Sequence, residues 1–112
     1  MRYAVPVING EMAEHFGHCS HFALFDVDET TKTVVGREIV ASPGHQPGLL
    51  PSWLAGEGVS VVIASGMGTR AQSLFTENHI EVVIGALGSE PEKAVMDYMR
   101  GTLATGGYVC DH

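Results

Sequence analysis

The stretch Val59-Ser60-Val61-Val62-Ile63-Ala64-Ser65-Gly66-Met67-Gly68-Thr69 decides the fold class. Its first six residues are a continuous apolar, β-branched run, which is typical of a strand covered on both faces. The glycines then predict a tight turn, and a helix is predicted from Thr69 to about Asn78. The same order recurs with a strand over residues 80–84 and a helix from about Pro91 to Arg100. Strand–helix–strand–helix order predicts parallel strands joined by right-handed crossovers.

The first half of the chain predicts antiparallel strands. Residues 2–8 form a buried β-branched run that ends at Asn9-Gly10, and residues 9–20 are predicted as a loop. Residues 21–28 and 33–40 predict a hairpin around a polar turn, and a short helix is predicted around Ser52-Trp53-Leu54-Ala55. We therefore expect residues 1–112 to form a single α/β domain. Its mixed sheet would have about five strands, an antiparallel hairpin edge and a parallel part.

Composition excludes several classes of function. The net charge is −7, and the six Lys and Arg residues are scattered, so nucleic acid and anionic membranes are poor partners. The sequence contains no run of about 20 apolar residues, so no transmembrane helix is predicted. The N-terminal apolar run is too short for a signal peptide, so a cytoplasmic location is expected. In a reducing cytosol the two cysteines, Cys19 and Cys110, are expected to be metal or redox groups or inert thiols, not a disulfide.

Potential metal ligands occur in two separate clusters. Residues 15–21 hold three His residues and one Cys, in a loop predicted to follow the first strand. The C-terminal Cys110-Asp111-His112 adds a second thiol and imidazole. These groups suit zinc, copper and iron–sulfur centres. Ligands of open α/β sheets bind beyond the carboxyl ends of parallel strands. We therefore expect three loops to meet there: residues 9–20, Gly66-Met67-Gly68 and Gly85 to Ser89. The alternative is a solvated turn and a frayed end, since no paired Cys-x-x-Cys knuckle is present.

The segment Gly66-Met67-Gly68-Thr69 predicts a second kind of binding site. It lies between a strand and a helix N-terminus, where glycine permits close approach and free N–H groups attract anions. A small-anion-binding regulatory module is therefore the alternative function. The segment lacks a complete phosphate-loop pattern, and a tight turn with Met67 packed in the interior also explains it.

Catalysis is not expected. Asp26, Asp28 and Glu29 fall near one strand end, but a two-metal nuclease needs carboxylates on the central strand as well, and residues 3–8 have none. A solvated turn explains the three carboxylates better. Cys19 could pair with a histidine as a nucleophile, but no signature supports that pairing.

The chain resembles the dinitrogenase iron–molybdenum cofactor biosynthesis family along nearly its full length. The resemblance lies in Val5-Pro6-Val7, His15-Phe16-Gly17-His18-Cys19, Phe22, Gly48-Leu49-Leu50-Pro51-Ser52-Trp53-Leu54, Val61 to Ala71, Ile80-Glu81-Val82, Gly85-Ala86, Ala94-Val95, Tyr98, Gly101-Thr102-Leu103 and Cys110-Asp111-His112.

The resemblance implies a ribonuclease H-like three-layer fold. It also implies binding or carriage of an iron–sulfur precursor or of the iron–molybdenum cofactor, and a role in cluster assembly. The implied partner is a protein that donates or accepts the cluster. The predicted metal ligands are Cys19, Cys110, His112, His18 and His15. The chain looks like a small stand-alone member, a monomer or homodimer, whose role need not involve nitrogen fixation.

Overall fold

The computed structural model describes residues 1–13, 16, 19–44, 49–86 and 90–101. In chain order the elements are β1 (Arg2–Ile8), β2 (Glu11–Met12), β3 (His21–Asp28), β4 (Thr33–Ala41), α1 (Leu49–Gly56), β5 (Val59–Ile63), α2 (Thr69–Glu77), β6 (Glu81–Val83) and α3 (Pro91–Arg100). The predicted order of strands and helices is confirmed, and β2 is an addition to it.

The strands form one mixed sheet in the order β4–β3–β1–β5–β6, with β2 paired to β1. β1 is antiparallel to β3, and β3 is antiparallel to β4, so the predicted hairpin edge is present. β5 lies parallel to both β1 and β6. The described sheet therefore has six strands where about five were predicted. β1 separates its antiparallel and parallel parts.

The prediction of a loop throughout residues 9–20 is wrong at its start. Ile8 pairs with Glu11, so Asn9-Gly10 is a two-residue hairpin loop. Its φ angles are 54° at Asn9 and 82° at Gly10, and positive values at both positions define a type I′ turn. Asn-Gly is the preferred sequence for this turn. β2 contains only two residues, which is too short to show an alternating pattern of apolar and polar residues. Asn9-Gly10 is therefore the one feature of the sequence that predicts this hairpin.

Side chains alternate between two hydrophobic cores on opposite faces of the sheet. Along β3, Phe22 belongs to the core that also contains Leu54 of α1 and Phe75 of α2, which we call the α1–α2 core. The neighbouring Ala23 belongs to the core that contains Val95 of α3, called the α3 core. Alternating side chains of a strand point to opposite faces. Helices therefore cover both faces of the sheet.

The helices begin and end near the predicted residues, except that α1 begins earlier than predicted. α1 begins at Leu49, earlier than the predicted helix around residues 52–55, because Pro51 is tolerated in the first turn, where its missing N–H is not needed. α3 begins at Pro91 and ends at Arg100, and Gly101 caps it with a left-handed φ of 74°. Glu90 occupies the N-cap position of α3 and makes no side-chain capping hydrogen bond. No helix in the described ranges is both long and apolar enough to cross a membrane.

Candidate functional site

Three loops meet at the carboxyl edge of the parallel strands. We call residues 13–20 the histidine loop, residues 64–68 the glycine loop and residues 84–86 the β6 loop. The Phe16 N–H in the histidine loop donates to the Gly66 carbonyl in the glycine loop over 2.8 Å. The Gly85 N–H in the β6 loop donates to the Ser65 carbonyl over 2.8 Å. The predicted meeting of these loops is thus confirmed for their described residues.

The histidine loop is attached to the central strand at both ends. The Ala13 N–H donates to the Pro6 carbonyl over 2.9 Å, and the Ser20 N–H donates to the Val7 carbonyl over 3.0 Å. The Ser20 carbonyl in turn accepts from the Ser42 N–H over 3.0 Å. The backbone on either side of the candidate ligands is therefore fixed to β1 and to the segment that follows β4.

Phe16 fixes the middle of the same loop through its side chain. Its ring centroid lies 5.2 Å from that of Phe75 in a T-shaped arrangement and 5.7 Å from that of Phe22. Aromatic rings at such separations stabilise a structure by more than the burial of their apolar surface alone. Only 7% of Phe16 is exposed. No role was predicted for Phe16 by itself, although an aromatic residue within a polar loop is a signal for such an anchor.

Cys19 lies inside the α1–α2 core, and only 3% of it is exposed. Burial raises the pKa of its thiol to about 11, because the thiolate would lose its hydration. The thiol is therefore neutral near pH 7. Since the thiolate is the form that binds metals and attacks electrophiles, Cys19 must gain access to solvent and lose its proton before it can do either. This burial does not favour a role as a catalytic nucleophile.

The other predicted metal ligands, His15, His18, Cys110 and His112, lie outside the described residues. Among the residues whose positions are described, no group of three His, Cys, Asp or Glu side chains converges as a metal site. Of the predicted set the structure therefore locates one donor, the Cys19 thiol, at the edge where the loops meet. The complete ligand set stays a prediction.

The predicted anion segment turns tightly between β5 and α2. Gly66 and Met67 are buried, and the Met67 side chain belongs to the α1–α2 core. The Met67 carbonyl accepts a hydrogen bond from the Gln72 side chain over 3.0 Å. Gly68 precedes α2 and Thr69 begins it, and both are exposed. Met67 therefore packs in the interior, as the tight-turn alternative expected, whereas the next two residues are open to solvent.

Two of the three carboxylates considered for nuclease chemistry, Asp26 and Asp28, make structural contacts at the end of the sheet opposite the three loops. Asp26 accepts a hydrogen bond from the Arg2 guanidinium over 3.0 Å. Asp28 accepts the backbone N–H of Thr30 over 2.8 Å within the β3–β4 turn. The first contact joins β3 to β1, and the second stabilises the β3–β4 turn. Both lie at the opposite end of β3 from the histidine loop.

A surface groove of about 770 Å³ lies between α3 and the β1–β2 turn. Carboxylates from Glu11, Glu90, Glu92 and Asp97 line it, together with two basic side chains. It belongs to the α3 side of the sheet, whereas Cys19 belongs to the α1–α2 side. Cys19, the one predicted ligand among the described residues, does not line this groove.

Comparisons with known proteins agree with this fold. The uncharacterized protein MJ0580 of Methanocaldococcus jannaschii is 28% identical over an alignment of 87 residues, which covers 73% of this chain and 72% of that protein. The crystal structure of PH0822 superposes with a TM-score of 0.87 at 27% identity, covering 96% of both chains. The apo form of the orange protein from Desulfovibrio gigas has a TM-score of 0.70 at 23% identity, covering 95% of this chain and 92% of that one, and shows a shared fold alone.

The family itself is shown by the sequence. The model of the family described as "Dinitrogenase iron-molybdenum cofactor" matches residues 1–101, which include β1 to α3, all three loops and Cys19. The earlier resemblance is thereby confirmed. This chain belongs to the dinitrogenase iron–molybdenum cofactor family.

Proposed function

We propose that this protein binds and carries an iron–sulfur or iron–molybdenum type cluster as cargo, and that it does not catalyse a reaction. The observation that carries the proposal is the position of Cys19. It lies on the histidine loop, and backbone hydrogen bonds join this loop to the central strand and to the glycine loop. Open α/β sheets bind ligands at this edge. The family to which the chain belongs is described by such a cofactor.

The proposed ligands are the thiolates of Cys19 and Cys110, with His18 or His112 completing the set and His15 nearby. Thiolate and imidazole are soft or borderline donors that suit iron–sulfur chemistry. Two cysteines are fewer than the usual four thiolates of a cluster. Histidine ligands in a monomer or a cluster shared by a homodimer would supply the remainder.

Carriage requires a site that cargo can both enter and leave. The neutral, buried Cys19 thiol would favour release of the cargo, because it gives the protein a stable form without cargo. A partner protein would then donate or receive the cluster. We propose the cytoplasm as the location, because thiols stay reduced there. We further propose the ribonuclease H-like assignment of the fold, supported by a mixed sheet with an antiparallel edge and helices on both faces.

Anaerobic reconstitution tests this function. The protein is incubated with ferrous iron and sulfide, with and without molybdate, and bound metal per chain is measured after desalting. We expect a thiolate-to-iron absorption band in the unmodified protein and at least about a tenfold loss of bound iron in Cys19→Ser and Cys110→Ser. His79→Asn is the matched control, because His79 is an exposed histidine between α2 and β6, away from the loop edge. Its positive φ of 61° is one that asparagine tolerates.

Equal iron in the unmodified protein and in the Cys19/Cys110 double variant would overturn the ligand assignment. If no cluster binds and phosphate raises the melting temperature of the double variant, the small-anion module at Gly66-Met67-Gly68 becomes the better account.

A further inference from the structure

We propose that Phe16 is the positioning residue of this site: its ring and its backbone N–H together hold the histidine loop on the glycine loop and thereby keep Cys19 in place and out of solvent. The importance of this role for cargo rests on the proposed function. The positioning itself depends only on the fold.

Phe16 is attached in two independent ways. Its ring packs between those of Phe75 in α2 and Phe22 in β3, at centroid distances of 5.2 and 5.7 Å. Its N–H donates to the Gly66 carbonyl over 2.8 Å. The side-chain contacts therefore tie the loop to a helix and a strand, and the backbone contact ties it to the glycine loop. A change in the side chain loosens the first attachment directly and leaves the second without support.

Cys19 follows Phe16 by three residues and lies in the same hydrophobic core. The next fixed point along the chain is Ser20, held by the Val7 carbonyl. Cys19 is therefore confined between an aromatic anchor and a backbone anchor. If the aromatic anchor is lost, we expect the Cys19 side chain to reach solvent through local opening, without unfolding of the sheet.

The test measures access to the Cys19 thiol in the absence of any metal. In a Cys110→Ser background, Cys19 alone reacts with iodoacetamide, and mass spectrometry at one fixed pH follows the alkylation. We expect Phe16→Ala to accelerate the reaction by about tenfold or more. Phe16→Leu, which keeps an apolar side chain of comparable reach, should restore a rate within about threefold of the starting protein.

Phe25→Ala is the matched control. Phe25 is also a buried phenylalanine, 4% exposed, but it belongs to the α3 core on the other face of the sheet. Its loss destabilises the protein without touching the anchor of Cys19. The two variants are compared at urea concentrations equally far below their own unfolding midpoints. If Phe25→Ala then accelerates alkylation of Cys19 as much as Phe16→Ala does, global unfolding explains both rates and the positioning role is overturned.

Hydrogen exchange provides a test without substitution, should Phe16→Ala fail to fold. The Phe16 amide should exchange faster than the Val62 amide on β5, which pairs with β1 and β6. At urea concentrations below the unfolding transition, the exchange rate of the Phe16 amide should change in parallel with the rate of Cys19 alkylation. Equal protection of both amides would contradict the proposal. In the chain with both cysteines, loss of iron loading in Phe16→Ala with unchanged alkylation would also overturn positioning while leaving the carrier function in place.

Discussion

The Ser65 hydroxyl donates to the Ala86 carbonyl over 2.7 Å and so joins the glycine loop to the β6 loop. The Gly85 N–H returns a hydrogen bond to the Ser65 carbonyl over 2.8 Å. These two hydrogen bonds join the parallel strands β5 and β6 in addition to the hydrogen bonds between the strands themselves. They lie where the histidine loop also contacts the glycine loop. The candidate site thus rests on a connected frame.

Removing this hydroxyl should destabilise the protein. Ala86 is fully buried and Ser65 is half-buried, so Ser65→Ala removes a partly buried hydrogen bond to the Ala86 carbonyl. We expect a loss of about 1 to 2 kcal/mol in the free energy of unfolding, measured in urea. Ser73→Ala is the control, because Ser73 is exposed on α2 and its loss should change stability by no more than about 0.5 kcal/mol. Equal stability of the two variants would contradict this assignment.

The β1–β2 turn makes a separate prediction about backbone strain. Gly10 has a φ of 82°, and a Cβ added there meets nothing within 4 Å, so Gly10→Ala costs conformational strain and no clash. We expect a loss of about 1 to 2 kcal/mol. Gly56 ends α1, has no positive φ and also faces open space. Gly56→Ala should therefore raise stability by about 0.4 to 1 kcal/mol. The same sign of change in both variants would be inconsistent with the turn.

The Cys19 thiol should titrate late and make stability depend on alkaline pH. Burial raises its pKa from an ordinary value of 9.0 to about 11, so the folded state favours the neutral thiol. The contribution of the neutral Cys19 thiol to the free energy of unfolding is fully present below pH 9 and is lost as the pH rises from 9 through 11. The ultraviolet absorbance of the thiolate, followed in Cys110→Ser against the same chain with Cys19→Ser, reports the titration. A midpoint at or below 9 would show that Cys19 is exposed.

Tyr98 should also titrate above its ordinary range. Its hydroxyl donates to the Glu81 carboxylate, and this hydrogen bond is the main cause that raises its pKa to about 12. The associated stabilisation is present below the ordinary pKa of 10.0 and is lost as the pH rises through 12. Glu81→Gln removes the charged acceptor, and we expect the phenolic absorbance to titrate earlier by a measurable amount. An unchanged titration curve in Glu81→Gln would contradict the contact.

The regular elements could be predicted because their signals are local. β5 and α2 are a β-branched run, two glycines and a helical segment, and their order alone implies a parallel pair. β2 was missed because a two-residue strand has no period, although Asn9-Gly10 marked its turn. The predicted first helix starts too late because Pro51 lies just before it, and proline is more typical of loops, although the first turn of a helix tolerates it.

The site could be predicted only in part, and for a physical reason. Topology alone brings the loops after β1, β5 and β6 to one edge, so their meeting followed from strand order. The attachments of Phe16 to Gly66 and of Ser65 to Ala86 did not, because a hydrogen bond to a backbone carbonyl leaves no pattern in the sequence. The burial of Cys19 was likewise hidden, since its neighbours in the sequence are polar.

The measurement that tests the central claim most directly is metal analysis of the protein purified without oxygen. Iron, molybdenum, zinc and acid-labile sulfide are determined per chain, together with a visible spectrum. Carriage of a cluster predicts iron with sulfide and a thiolate-to-iron band, both reduced in Cys19→Ser and unchanged in His79→Asn. Protein that holds neither iron nor sulfide, and takes up neither from ferrous iron and sulfide under reducing conditions, would contradict the claim.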